Sequence, residues 1–266
     1  MKKILPGALI GLLIGLLLIP LLLIMLLSFF SYYKYLQVVP TAFSLANWQQ
    51  LLTQNRLFWT GLINSLVIAT ATAIGATIVG LMTGRALTRY RFRGQKLLLL
   101  LLSLPLFIPS IALFIGVHLM MIQLALINTY LGVILAQMII SIPYATTISM
   151  AFFAGIPRDI EDLARTLGCS NKKLFLKVMA PLLLPGILLS LSICFVLSFS
   201  EYFSVFLVGG GRIITLSMVM FPFLSNSDYG NGAAISLVFL GVNLAVFIGA
   251  DVVIRKKVKG RPYLYE

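Results

Sequence analysis

The sequence predicts an all-α membrane protein: six transmembrane helices, with a charged cytoplasmic elbow between the fourth and the fifth. Three observations carry that prediction. Of 266 residues, 60% are hydrophobic and only 10% charged, against about 45–50% and about 25% in soluble domains. The apolar residues form nearly uncharged blocks, and about 18 or more such residues match the thickness of a bilayer. The basic residues, finally, gather almost wholly on one side of those blocks.

The blocks lie at about 7–30, 62–84, 97–121, 131–153, 182–208 and 232–254. The first follows Lys2 and Lys3, as a signal peptide would. Its apolar run outlasts a typical signal core and no A-x-A-like cleavage site follows, so an uncleaved span is expected. Residues 44–60, SLANWQQLLTQNRLFWT, read as a short amphipathic helix with Ser44 or Asn47 as its cap and Trp48 at the membrane surface. In the third block, Pro105 and Pro109 each remove a backbone donor. A tolerated kink and a bend that lines a pathway both stay open. Residues 209–231 carry GGGR and SNSDYGNG, which is turn chemistry. No repeat or linker divides the chain, so 1–266 reads as one domain.

Charge sets the orientation. Of the 20 Lys and Arg residues, only Lys34, Arg56 and Arg212 fall on one side of the blocks. The other seventeen flank the N-terminus, the 85–96 connection, the 157–181 stretch and the tail. By the positive-inside rule both termini and the 154–181 loop are cytoplasmic. The net charge of +13 is thereby topological, and nucleic-acid binding drops out. Cys169 and Cys194 make no disulfide framework, and a lone His118 without cysteine clusters argues against a metal site.

The stretch 157–181, PRDIEDLARTLGCSNKKLFLKVMAP, holds eight of the chain's charged side chains. Ile160, Leu163, Ala164 and Leu167 fall at i, i+3, i+4 and i+7, one face of a helix. Pro157 suits its start, the acids near it suit the positive end of the dipole, and Gly168 suits a left-handed stop. Ser170 then caps a second helix carrying Leu174, Phe175 and Val178, ahead of Pro181 and the fifth span. Spacing alone allows either a solvated loop or a helix offered to a soluble partner.

Among acids near the spans, Asp251 stands four residues before Arg255, an ordinary i,i+4 pair. Glu201 has no base one turn away and sits among Ser198, Ser200, Tyr202 and Ser204. A charge there points to a water-accessible, protein-lined path. Asn243 is a weaker candidate for that path, and Asn64 weaker still; both are residues that more often bond between helices.

The elbow resembles the cytoplasmic motif E-A-A-x3-G-x9-I-x-L-P of permease subunits in binding-protein-dependent ABC importers. Here it runs D-L-A-x3-G-x9-V-x-A-P, from Asp162 to Pro181. It matches at Ala164, Gly168 and Pro181 and departs at Asp162, Leu163, Val178 and Ala180. Glu161 supplies an acid if the helix is read one residue earlier. The resemblance implies a type I fold and a coupling helix gripped by a cytoplasmic ABC ATPase dimer, with Glu161, Asp162, Ala164, Arg165 and Gly168 at the docking elbow. It further implies a second permease subunit, homologous or identical, an extracytoplasmic substrate-binding protein, and residence in a bacterial inner membrane. No G-x-x-x-x-G-K-[ST] phosphate loop is present, so the chain does not bind ATP in that way; a translocation subunit and not an enzyme is expected, with ATP hydrolysis in a partner chain. No cofactor is implied.

The fifth span lines the path in such permeases, which implies path roles for Ser198, Glu201 and Tyr202. The run from Ser198 to Phe223 is most similar to the branch handling polyamines, iron, thiamine and phosphonates. A polyamine is the first expectation for the cargo. A stand-alone secondary transporter or channel is the alternative, and it predicts several ionisable residues at mid-membrane and inverted repeats.

Overall fold

The computed structural model describes residues 4–30 and 43–258, with side chains from 15 to 257. Lys2, Lys3, Lys34, Lys259 and Arg261, used above to orient the chain, lie outside the described residues.

Helices take up nearly all of it, and every apolar block is helical. The first block is α1 (Ile4–Ser28). Its leucines from Leu16 to Leu26 are almost all exposed, as expected of a helix whose solvent is hydrocarbon. Next come α2 (Ala46–Gln49), widened into a π turn over Gln50–Gln54, and α3 (Arg56–Arg89). The amphipathic helix expected over 44–60 is therefore split. Asn55 ends it, and its side-chain oxygen accepts from the Phe58 amide to start α3. Ser44 does accept from the Ala46 amide. Trp48 packs on Phe29, with ring centroids 6.1 Å apart, and Trp59 is the exposed tryptophan.

The third block is two helices, α4 (Gln95–Phe107) and α5 (Ser110–Gln123), bent by 111°. Pro109 causes the break. It holds Ile108 extended (ψ 132°) and stands at the cap of α5, where no amide is needed. Pro105 stays within α4. Then follow α6 (Tyr130–Gly155), α7 (Arg158–Thr166) and α8 (Asn171–Lys173). A π segment over Leu174–Met179 joins α8 to α9 (Ala180–Phe199). The fifth block closes with α10 (Phe203–Val208). The 209–231 stretch is more than turns, because α11 (Leu216–Ser225) lies within it. The last block is α12 (Tyr229–Val258). The α3, α6, α8–α9 and α12 helices are each long and apolar enough to cross a membrane, and α4–α5 passes as a bent pair. The protein is an all-helical, multi-pass membrane protein.

Backbone contacts divide the chain into two units. One comprises residues up to Ile63 together with Ile214–Asn243. In it, the Asn47 amide donates to the carbonyls of Ser28 and Phe30. Gly61 lies so close to α11 that a Cβ would fall 2.9 Å from Val219.

The other unit comprises Asn64–Ile213 and the chain from Leu244 on. Its seam is a row of small residues on α3. A Cβ at Gly80 would fall 2.5 Å from that of Ala145, and one at Gly84 2.6 Å from that of Ser149. Such residues let two backbones approach where lipid supplies no hydrophobic drive. Gly186 does the same for α9, whose backbone sits against the ring of Phe152. Beneath the polar end lies a core of Phe153, Leu174, Met179 and Leu183.

Candidate functional site

Two places concentrate polar chemistry: the elbow and a cleft beside α9.

The elbow turns through Gly168, whose φ of +79° is the left-handed conformation that glycine adopts without a Cβ penalty. Its amide donates to the Arg165 carbonyl and that of Cys169 to Ala164, the paired bonds of a Schellman stop. Ser170 then accepts from the Lys173 amide as the second arm begins. That arm is no separate helix. It runs through the π segment into α9, so Pro181 falls inside a continuous helical run, directly after the widened turn whose carbonyls lack the amide that proline cannot supply.

The expected apolar face of α7 is divided in two. Ile160 and Ala164 are partly covered, and Ala164 packs on the Leu174 core. Leu163 and Leu167 instead point outward, 64% and 77% exposed. Glu161 takes the inward position, 8% exposed. The reason is charge, supplied by the end of α3. Arg85 donates to Glu161 at 3.2 Å, and Arg89 pairs with its other oxygen at 2.9 Å. With 34 residues, α3 is about 51 Å long at 1.5 Å per residue. That exceeds a hydrocarbon core of about 30 Å, so its last turns can carry arginines beyond the lipid tails. Arg89 also donates to the Ile156 carbonyl, and Arg158 to that of Thr88. Of the residues expected at the docking face, Asp162 and Arg165 are exposed, Gly168 shapes the turn, and Glu161 and Ala164 serve the chain's own packing.

The cleft is lined by Ser198 and Glu201 with Gln137, Ser141, Ile140, Phe114 and Leu197. Gln137 is its hub: Ser198 donates to its carbonyl oxygen, and its amide donates to Ser204 at 3.0 Å. The Glu201 carboxylate accepts from the Phe203 and Ser204 amides, at 3.0 and 3.4 Å, and so caps α10. Tyr202 stacks on Phe206, with centroids 5.7 Å apart. The Asn243 amide donates within its own helix to Phe239, Asn64 accepts from the Tyr130 hydroxyl, and Asp251 pairs with Arg255 at 2.6 Å. Sequence reasoning missed Gln137. The available signal was the one side-chain amide in the fourth span, whose other polar side chains are hydroxyls; an unbonded polar group is costly there.

A polytopic helical protein that carries a charged elbow between two spans, and a polar cleft along one of them, belongs among membrane transport subunits. Residues 76–259 match the family described as binding-protein-dependent transport system inner membrane component, and the chain belongs to that family, the permease subunits of ABC importers. It is 30% identical over 188 residues to the molybdate/tungstate transport system permease protein WtpB of Pyrococcus abyssi, covering 70% of this chain and 74% of that one. It is 32% identical over 148 residues to the arabinooligosaccharides transport system permease protein AraQ of Halalkalibacterium halodurans, covering 56% and 52%. The fold is shared with a chain of a bacterial ABC transporter involved in the import of the acidic polysaccharide alginate. That match has a TM-score of 0.68 at 17% identity and covers 98% of this chain and 96% of the other. The two named relatives carry an oxyanion and an oligosaccharide, so the polyamine branch expected above finds no support in them.

Proposed function

We propose that this permease subunit forms half of the path of an ATP-driven importer and is worked through its elbow by a cytoplasmic ABC ATPase dimer. Both termini and the elbow face the cytoplasm of a bacterial inner membrane. A second permease subunit, homologous or identical, completes the path, and an extracytoplasmic binding protein delivers a small solute. The supporting observation is the elbow's division of faces. Glu161 and Ala164 anchor it inward, which leaves Asp162, Leu163, Arg165 and Leu167 outward on a turn fixed by Gly168. Exposed leucines ringed by charge suit the groove of a soluble partner.

The path is assigned to Ser198, Glu201 and Tyr202 on the fifth span; Asn243, which falls in the other unit, is a separate candidate. Glu201 is thin evidence for a cationic cargo, because its carboxylate also caps α10 through two backbone amides and so has a structural use. Choice of cargo then falls mainly to the binding protein. The experiment is co-purification in detergent with a co-expressed ATPase. Retention by the wild type, and its loss in L163D/L167D, is the expected result. Equal retention by both would end the docking assignment.

A further inference from the structure

We propose that a groove between α3, α9 and α12 holds one acyl chain of an anionic phospholipid, whose headgroup rests on Lys256 and Lys257. The groove lies wholly within the unit formed by Asn64–Ile213 and the chain from Leu244 on, and its volume is about 320 Å³. Small-ligand sites occupy about 300–1,000 Å³. No charged residue lines it. Its two polar lining residues are Thr70 and Ser192, and the Ser192 hydroxyl donates to the Leu188 carbonyl at 2.9 Å. Unlike the cleft around Gln137, it is a place for hydrocarbon and not for a hydrated solute.

The α12 helix gives the groove its direction. Val246, Gly249, Ala250 and Val253 line it at i, i+3, i+4 and i+7, a single stripe of that helix. The next positions on the stripe are Lys256 and Lys257, both exposed. Arg255 lies on the opposite face, where it pairs with Asp251 at 2.6 Å. Among the described residues neither lysine has an acidic partner. Val246 stands eleven residues before Lys257, about 16 Å along the axis at 1.5 Å per residue. That is the depth of one leaflet in a hydrocarbon core about 30 Å thick. A chain anchored by its phosphate at the lysines therefore ends where the groove ends.

Gly249 keeps the groove hollow without serving a helix contact. At Gly80 and Gly84 the missing Cβ admits α6, whereas a Cβ at Gly249 would meet nothing within 4 Å. From Leu244 to Lys257 no residue of α12 is buried, so this stretch is covered from outside the chain. A helix of a second copy would bridge the groove and leave it unfilled. Even counted out to its open mouth the void is about 680 Å³. Over the length from Val246 to Val253 that is about 65 Å² in section, less than the about 80 Å² of a helix 10 Å across.

The test is native mass spectrometry of the full chain, purified in detergent after incubation with equal amounts of phosphatidylglycerol and phosphatidylcholine. The wild type should retain one phospholipid per chain. It should favour phosphatidylglycerol by about 25-fold, about fivefold for each lysine near an anionic headgroup. G249L, whose side chain enters the groove from a position with open space around it, should retain none. K256Q/K257Q should hold the two lipids alike. A wild-type chain that retains no phospholipid overturns the proposal, as does G249L retaining as much as wild type. If G249L fails to fold, the lysine variant decides: an undiminished preference for phosphatidylglycerol places the headgroup elsewhere and overturns it. If G249L turns a dimer into monomers while its lipid count stands, the groove is an interface between copies and the proposal fails.

Discussion

The Arg89 guanidinium lies 2.9 Å from the Glu161 carboxylate, so the more buried of two neighbouring acids is also the one with two basic partners. Asp162, one residue on, is exposed. Their substitutions should therefore part company. Breaking a buried pair by removing one charge costs about 3–5 kcal/mol when shielding is complete. Arg85 is 28% exposed, which brings E161Q below that range. D162N should stay within about 0.5 kcal/mol of wild type, as surface changes do. Thermal unfolding in detergent reads both, and equal melting points would contradict the buried pair.

At Gly168 the strain is in the backbone and not in crowding, since a Cβ there would meet nothing within 4 Å. A non-glycine residue in the left-handed region costs about 1–2 kcal/mol, less for asparagine. G168N should therefore be milder than G168A, and G168V the worst. The order should appear in melting temperature and in ATP hydrolysis by the assembled complex. No difference among the three would mean that the turn is dispensable.

Helix contact through Gly80 makes the opposite case. A Cβ 2.5 Å from that of Ala145 cannot be accommodated without moving α3 or α6. Overpacking of this kind costs about 1–3 kcal/mol, and G80V should lower the yield of monodisperse protein. G116A, where a Cβ meets nothing within 4 Å, is the control and should behave as wild type. If the two behave alike, the small-residue seam is not what joins α3 to α6.

Replacing Gln137 with leucine removes the shared partner of Ser198 and Ser204. Leaving buried hydroxyls unsatisfied costs about 1–3 kcal/mol. Uptake by the assembled importer should fall in Q137L even where the protein remains folded, because Ser198 and Glu201 line the same cleft. Unchanged uptake kinetics would reduce this network to packing.

The parts legible in the sequence were those that repeat or punctuate. Apolar length located the long helices, Gly168 marked the turn, and Ser170 marked the start of the second arm. Each of these signals is local. The bend at Pro109 was half legible: the proline showed, but its 111° depends on packing that no window of residues contains. The α11 helix was masked by the turn-forming residues on both its flanks. The inward turn of Glu161 was out of reach for a stronger reason. Periodicity put Leu163 and Leu167 on the covered face, and only counter-charges 72 and 76 residues earlier, on Arg89 and Arg85, decide otherwise. Gln137 was missed because an amide carries no charge to draw notice, although it is the one side-chain amide of its span.

The wide turn over Leu174–Met179 has a consequence for the angular setting of the elbow. A π turn holds one more residue than an α turn, so it behaves as an insertion that the helix has absorbed. Deleting a single residue there would restore ordinary winding and leave the segments on either side in their present phase. One more residue, with no wide turn to absorb it, would instead swing everything N-terminal to it by about 100° around the rod axis and turn the outward leucines to a new bearing.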